Sequence, residues 1–413
     1  MSILIFGCKK DDESKDKDGI VISKIPIWTS QTTDDDSLAI NVLFKKALIY
    51  NNSIVVRVRN NKKESVRLLD VDDGIKKWEW SDFTEWQGYS KDSYCLLGNK
   101  LIWQFYYNNY CIDLNTGNTL WKNNFEENYD NRCSGIDNFF TVSHLTNRNK
   151  PPLENGGNIV VLDAATGKPI EFFKPKYDTL GKAPFEQYGW SYNGYGVPFL
   201  KNNEKYILVK FNDPPNLVPN TAREYLGLYN FSKKAWVYEK QRLKNNDAGS
   251  KTPHAPYLYN EKAYSGCDGA IVCHDLMTGN KLWETTIKAG AYYQSAGLLV
   301  DNGRVYANSD GGQLVCLDAN SGAVKWDIRS SGSSTALSYL NGVVYFVGGG
   351  DGKLHAVDAE TGDYLWKIES PDKDKNKWAI FWGMCGVVPG KGSEKGKIVV
   401  TTGLNAYCYE AIR

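Results

Sequence analysis

Asp70, Asp72 and Asp73, in LLDVDDGIKKW, are a tight group of hard oxygen ligands of the kind that holds calcium. The D-x-[DN]-x-[DN]-G loop that would make them a calcium site is absent, and the turn they occupy recurs elsewhere without them. The four histidines, His144, His254, His274 and His355, form no HExxH pair, and there is no Gly-x-Ser-x-Gly elbow or Walker loop. GGGDG at 348–352 has the composition of a phosphate loop, but it lies between two strand-like runs. No helix follows to offer its N-terminus, so a hairpin is expected. Of the nine cysteines, Cys111, Cys273, Cys316 and Cys408 each stand two residues before a recurring acid. Leu68, Val161, Leu228 and Ala356 fill that register in other copies, so cysteine acts there as a small buried hydrophobe. Cys95, Cys133, Cys267 and Cys385 cannot be paired from spacing, and no cysteines have metal-ligand spacing. The sequence therefore predicts no catalytic residue and no metal ligand.

The elements around these residues are repetitive. CIDLNTGNTLW, CHDLMTGNKLW, CLDANSGAVKW and AVDAETGDYLW join LLDVDDGIKKW, anchored on Asp113, Asp275, Asp318, Asp358 and Asp70. A glycine follows each acid by four residues, and a tryptophan follows the glycine by four: Trp78, Trp121, Trp283, Trp326 and Trp366. VLDAATGKPIEFF keeps Asp163 and Gly167 but lacks the tryptophan; LYNFSKKAWVY is a worn copy with Asn230, Lys234 and Tyr238. A recurring unit of this kind means stacked structural repeats. The acid accepts a hydrogen bond from the backbone two residues on, and the glycine supplies positive φ. The tryptophan, which buries the most area, docks one unit on the next.

Upstream of each copy lies another hairpin, as in GLLVDNGRVYANSDGGQLVCLD. Each unit thus has four antiparallel strands, a propeller blade, and no segment has a helical period. The C-terminal GKIVVTTGLNAYCYEAIR lacks an outermost strand, while SKIPIWTS near the N-terminus places Trp28 in a strand like KLWE. Residues 24–30 are expected to complete the last blade, giving an all-β, eight-bladed propeller over 24–413 with residues 1–23 as a linker. Such closure removes an open sheet edge. Trp28, Trp78, Trp121, Trp283, Trp326 and Trp366 are the expected docking residues.

The D-x-x-T-G-x-x-x-W phrases resemble the tryptophan-docking repeats of the pyrroloquinoline-quinone (PQQ) type β-propeller superfamily, over essentially residues 24–413. That superfamily includes quinoprotein dehydrogenases and the non-enzymatic lipoprotein of the outer-membrane β-barrel assembly machinery. The dehydrogenases hold PQQ under a disulfide of adjacent cysteines and beside calcium; this chain has no adjacent cysteines. The expectation is therefore no enzyme, no PQQ and no calcium. Fold alone does not settle function.

Cys8, in ILIFGC before KKDDESKDKD, resembles a bacterial lipoprotein cysteine with an acidic tether, although only seven residues precede it. A lipid there would be the membrane tie, placing the protein in the Gram-negative cell envelope as an outer-membrane lipoprotein, periplasmic or surface-facing. Lys plus Arg number 49 against 48 acids, so no nucleic-acid partner is expected. The connections between blades are long and aromatic and emerge on one face. Trp86, Gln87, Arg132, Trp190, Tyr192, His254, Tyr292, Tyr293, Gln294, Trp378 and Trp382 are the candidates to ring that mouth. Aromatic residues with arginine make a recognition surface. The partner expected is an envelope protein, or alternatively a glycan stacked on the mouth, bound by a monomeric propeller.

Overall fold

The structure, a computed structural model, describes residues 20–33, 47–60, 63–82, 93–105, 108–124, 129–144, 159–173, 195–212, 224–244, 255–267, 269–287, 298–309, 311–332, 335–375 and 379–413. They form eight antiparallel sheets, taken here as blades 1 to 8 in chain order from Leu48. Six sheets consist of four consecutive strands, a seventh adds a fifth strand to its four, and the eighth takes its outermost strand from the N-terminal segment. First strands of neighbouring blades touch around the ring, so they are the innermost ones. The ring closes where Phe381–Val388 of blade 8 touches Leu48–Tyr50 of blade 1.

Local chemistry explains the hairpins. In blade 7, Asn341 and Gly342 both take positive φ, 47° and 78°, the backbone of a type I′ turn matched to strand twist. The repeated phrase builds the outer hairpin as expected. Asp358 Oδ1 accepts from the Glu360 N–H at 2.9 Å, and Asp113 Oδ1 from the Asn115 N–H at 3.0 Å. The worn copy makes the same turn with Lys234 at φ 56°, and Asn230 Oδ1 accepts from the Lys233 N–H at 2.9 Å.

Four of the repeat tryptophans dock in one way. The indole N–H donates to the carbonyl of the residue just after the acid in the next blade: Trp78 to Leu114 at 2.8 Å, Trp121 to Ala164 at 3.1 Å, Trp283 to Ala319 at 3.2 Å and Trp326 to Ala359 at 3.1 Å. Tyr238 reproduces the bond with its hydroxyl, 3.2 Å from the Leu276 carbonyl. The N–H of each acceptor residue is tied to its own blade, as Ala359 N to Gly342 O at 2.9 Å. One peptide unit thus joins two blades. The cysteine register sits opposite these rings: Cys111 pairs with Trp121, Cys273 with Trp283 and Cys316 with Trp326. All three cysteines, with Cys408, have no exposure, and Leu68, Val161, Leu228 and Ala356 are likewise buried.

Ring closure follows the same rule. Strand β2 (Trp28–Gln31) pairs antiparallel with Asn405–Glu410, with Trp28 opposite Cys408. The Trp28 indole donates to the Val71 carbonyl of blade 1 at 2.9 Å. One expectation is corrected: residues 21 and 22, assigned to a linker, form β1 (Val21–Ile22), a fifth strand added parallel to Tyr364–Ile368 of blade 7. The outer edge of that blade has backbone groups to satisfy, and the Lys367 N–H donates to the Ile20 carbonyl at 3.1 Å. The N-terminal segment therefore spans blades 7 and 8. Between them Lys24 places its ammonium 5.8 Å from the centre of the Trp366 ring and donates to the Glu410 carbonyl.

Candidate functional site

Strand alternation puts the connections between blades at the same end of the ring as the turns between second and third strands. Trp86, Gln87, Trp190, Tyr192, His254, Tyr292, Tyr293, Gln294 and Trp378 of the expected mouth lie outside the described residues, as does Cys8. Arg132 lies on the innermost strand of blade 3, Tyr129–Ile136. Trp382 is described in full: it stands on the innermost strand of blade 8, Phe381–Val388, and is 42% exposed.

Its surroundings hold Trp382 in place. The neighbouring Phe381 is buried edge-on against Tyr407 and Tyr409, with ring centres 6.0 and 6.4 Å away. The Phe381 N–H donates to the Gly352 carbonyl of blade 7 at 3.1 Å. Upstream, Asp372 is 4% exposed and pins the connection from blade 7 to blade 8. Its carboxylate accepts from Asn405 Nδ2 at 2.6 Å and from the Tyr407 hydroxyl, and pairs with Lys375 at 2.7 Å. Burial acts to raise the Asp372 pKa, but Lys375, Tyr407 and Asn405 outweigh it and the group stays lowered. Trp382 itself falls where pairing with Lys397–Thr402 shifts register, between Phe381 and Cys385, and its indole faces solvent there.

A second cluster on this face escaped the sequence. Ser331 Oγ lies 3.1 Å from Asp351 Oδ1 and 3.5 Å from His355 Nε2, which is itself 3.0 Å from Asp351 Oδ1. A serine–histidine–carboxylate relay needs the acid on the ring nitrogen away from the serine. Here both reach Nε2, while Nδ1 is buried without a partner. Burial lowers the His355 pKa against the pull of Asp351, and the ring stacks on Phe346 at 4.7 Å. The cluster clamps the connection from blade 6 onto the GGGDG turn, which closes as a hairpin with Gly348 N–H donating to the Lys353 carbonyl at 2.9 Å. Ser331 comes from the preceding connection, so no local spacing announces it.

Asp70, Asp72 and Asp73 are not arranged as a calcium site. Asp70 Oδ1 accepts from the Asp72 N–H at 2.7 Å, and Asp70 pairs with Lys77 at 2.8 Å. Asp73 accepts from the Ile75 N–H at 2.8 Å. Asp72 pairs with Lys397 and Lys391 of blade 8, whose hydrogen bonds hold it at about 2. These carboxylates are committed to a turn and a blade junction. Among the described residues no three His, Cys, Asp or Glu side chains gather to hold a metal.

Residues 267–378 match the family model described as outer membrane protein assembly factor BamB. Outer membrane protein assembly factor BamB of Bordetella pertussis is 26% identical over 125 residues, 30% of this chain and 31% of that protein. The dehydrogenase subunit of the quinone alcohol dehydrogenase of Gluconobacter oxydans is 30% identical over 128 residues, 28% of this chain and 16% of that protein. The matched parts thus span under a third of either relative's length. The crystal structure of BamB from Moraxella catarrhalis superposes with a TM-score of 0.51 at 15% identity, covering 77% of this chain and 82% of that one. The docking repeat, the ring of eight sheets and the matched segment make this chain a PQQ-like β-propeller.

Proposed function

We propose that this propeller is a non-catalytic binding protein of the Gram-negative cell envelope that holds a protein partner against its loop face. The observation that carries the reading is Trp382, 42% exposed on the innermost strand of blade 8, directly after the anchored Phe381. Large aromatic side chains in fixed positions dominate binding energy at protein interfaces. The commitment of Asp70, Asp72 and Asp73 to turn and lysine contacts supports a role without metal chemistry. Similarity to a protein named outer membrane protein assembly factor supports a partner in the outer membrane, and the likeness of Cys8 to a lipoprotein cysteine supports a lipid tether. We extend the proposal to Trp190 and the other aromatic residues of the connections on their sequence alone.

The test is capture of cross-linked envelope proteins by the full chain and by Trp382→Ala and Trp190→Ala. Loss of the captured partner at an unchanged melting temperature is expected. Undiminished capture by both variants overturns the loop-face reading. Quenching of tryptophan fluorescence by oligosaccharides, with no protein captured, selects a glycan ligand instead. Dye reduction after addition of PQQ and calcium would overturn the non-catalytic assignment.

A further inference from the structure

Eight of the nine cysteines fall among the described residues, none of them in a disulfide. Six are buried; Cys95 and Cys133 are half-buried and stand on the innermost strands of adjacent blades, Ser93–Leu97 and Tyr129–Ile136. These two strands run side by side, and Gly135 marks their alignment: a Cβ there would lie 2.6 Å from Leu97 Cδ2. Two residues earlier on each strand come Cys95 and Cys133. Because side chains alternate, residues two apart share a face, so the two cysteines meet across the gap just as Leu97 meets Gly135. Both cysteines pack on the cluster of Ile102, Phe140 and Val142. The other register of cysteines cannot do this, since each of its members faces a tryptophan of its own sheet.

We propose that Cys95 and Cys133 are an oxidation site that closes to an inter-blade disulfide, stapling blade 2 to blade 3 at the channel wall. The oxidant is a disulfide compound, of the class represented by oxidised glutathione. Cys95 sulfur attacks one sulfur of the oxidant, forming a mixed disulfide and releasing one thiol. Cys133 sulfur then attacks Cys95 sulfur, forming the protein S–S bond and releasing the second thiol. The two cysteine protons end on the two released thiols, and two electrons pass from the cysteines to the oxidant. Burial, together with the neighbouring Cys95 sulfur, holds the Cys133 thiol well above its ordinary range, so Cys133 acts in the second step. The two strands already run side by side and both cysteines pack on one cluster, the neighbourhood that an inter-blade disulfide requires. The inference stands whether or not the loop face binds a partner.

The test oxidises the reduced full chain with oxidised glutathione, blocks remaining thiols with N-ethylmaleimide and maps tryptic peptides without reduction. The expected product links peptide 92–100, which carries Cys95, to peptide 133–148, which carries Cys133. It disappears on reduction and in Cys95→Ser and Cys133→Ser. In wild type it should raise the urea midpoint of the oxidised over the reduced protein. If both peptides still carry maleimide, if either retains glutathione at the end point, or if Cys95 links elsewhere, the proposal fails. The linkage must also form in the native chain; its appearance only under denaturing conditions would equally refute it.

Discussion

Trp326 covers Gly362: a Cβ on that glycine would lie 2.8 Å from the indole Cδ2, and the Gly362 backbone holds φ at 77°. The tryptophan belongs to blade 6 and the glycine to blade 7. The pair repeats around the ring, as Trp28 on Gly74, Trp78 on Gly117 and Trp283 on Gly322, with approaches of 2.6 to 2.8 Å. The glycine therefore serves two ends at once, the turn within its blade and the floor for its neighbour's ring.

This dual role separates two glycine substitutions. Gly303 has nearly the same φ, 71°, but open space where its Cβ would go. Gly303→Ala should lose only the backbone term, about 1 kcal/mol, whereas Gly362→Ala should lose about 2–3 kcal/mol because the ring must also shift. Urea unfolding of the two variants measures the difference. Equal costs would mean that the ring contact adds nothing.

Closure of the ring rests on Trp28, which is 9% exposed. Trp28→Ala should destabilise the protein by about 3–5 kcal/mol. The loss should concentrate at the last blade, where Trp28–Gln31 pairs with Asn405–Glu410. Amide exchange at 405–410 should quicken more than exchange in blades 5 and 6. Uniform protection across the ring would contradict the closure assigned to this strand.

Blade 4 buries an ion pair, Lys210 to Glu224 at 3.2 Å, with side chains 1% and 4% exposed. Lys210→Met alone removes the cationic partner of a buried carboxylate and should cost about 3–5 kcal/mol. Adding Glu224→Leu should recover most of that loss, because desolvation of both charges is then avoided. Thermal unfolding of the single and double variants decides the point. A double variant no more stable than the single one would show that the pair also serves a packing role.

His274 sets an acid dependence. Burial lowers its pKa to about 4, against a raising contribution from the Arg242 carbonyl at 3.3 Å. The unfolded chain takes up this proton near pH 6.5 and the folded chain only near 4. The contribution to stability is therefore complete above 6.5 and declines as the pH falls towards 4, by about 3 kcal/mol in all. His274→Gln should flatten that part of the stability profile. Urea midpoints taken across the same range check it, and a slope unchanged in the variant would remove His274 as the cause.

The amino-acid sequence by itself determined what repeats. Acid, glycine and tryptophan recur at constant spacing, and their turn bonds close within a few residues, so Asp358, Gly362 and Trp366 announce their hairpin locally. The same register exposed the worn copy at Tyr238 and the closing strand at Trp28, and both make the expected contact. Tertiary structure alone decided which groups from different blades meet. Ser331 reaches Asp351 and His355 from the preceding connection, and Cys95 meets Cys133 across two blades. The strand Val21–Ile22 likewise finds its partner at the far end of the chain. Such pairs lie off the repeat and carry no periodic signal. Ring closure supplies their proximity, since it brings together segments that the local turn chemistry leaves unrelated.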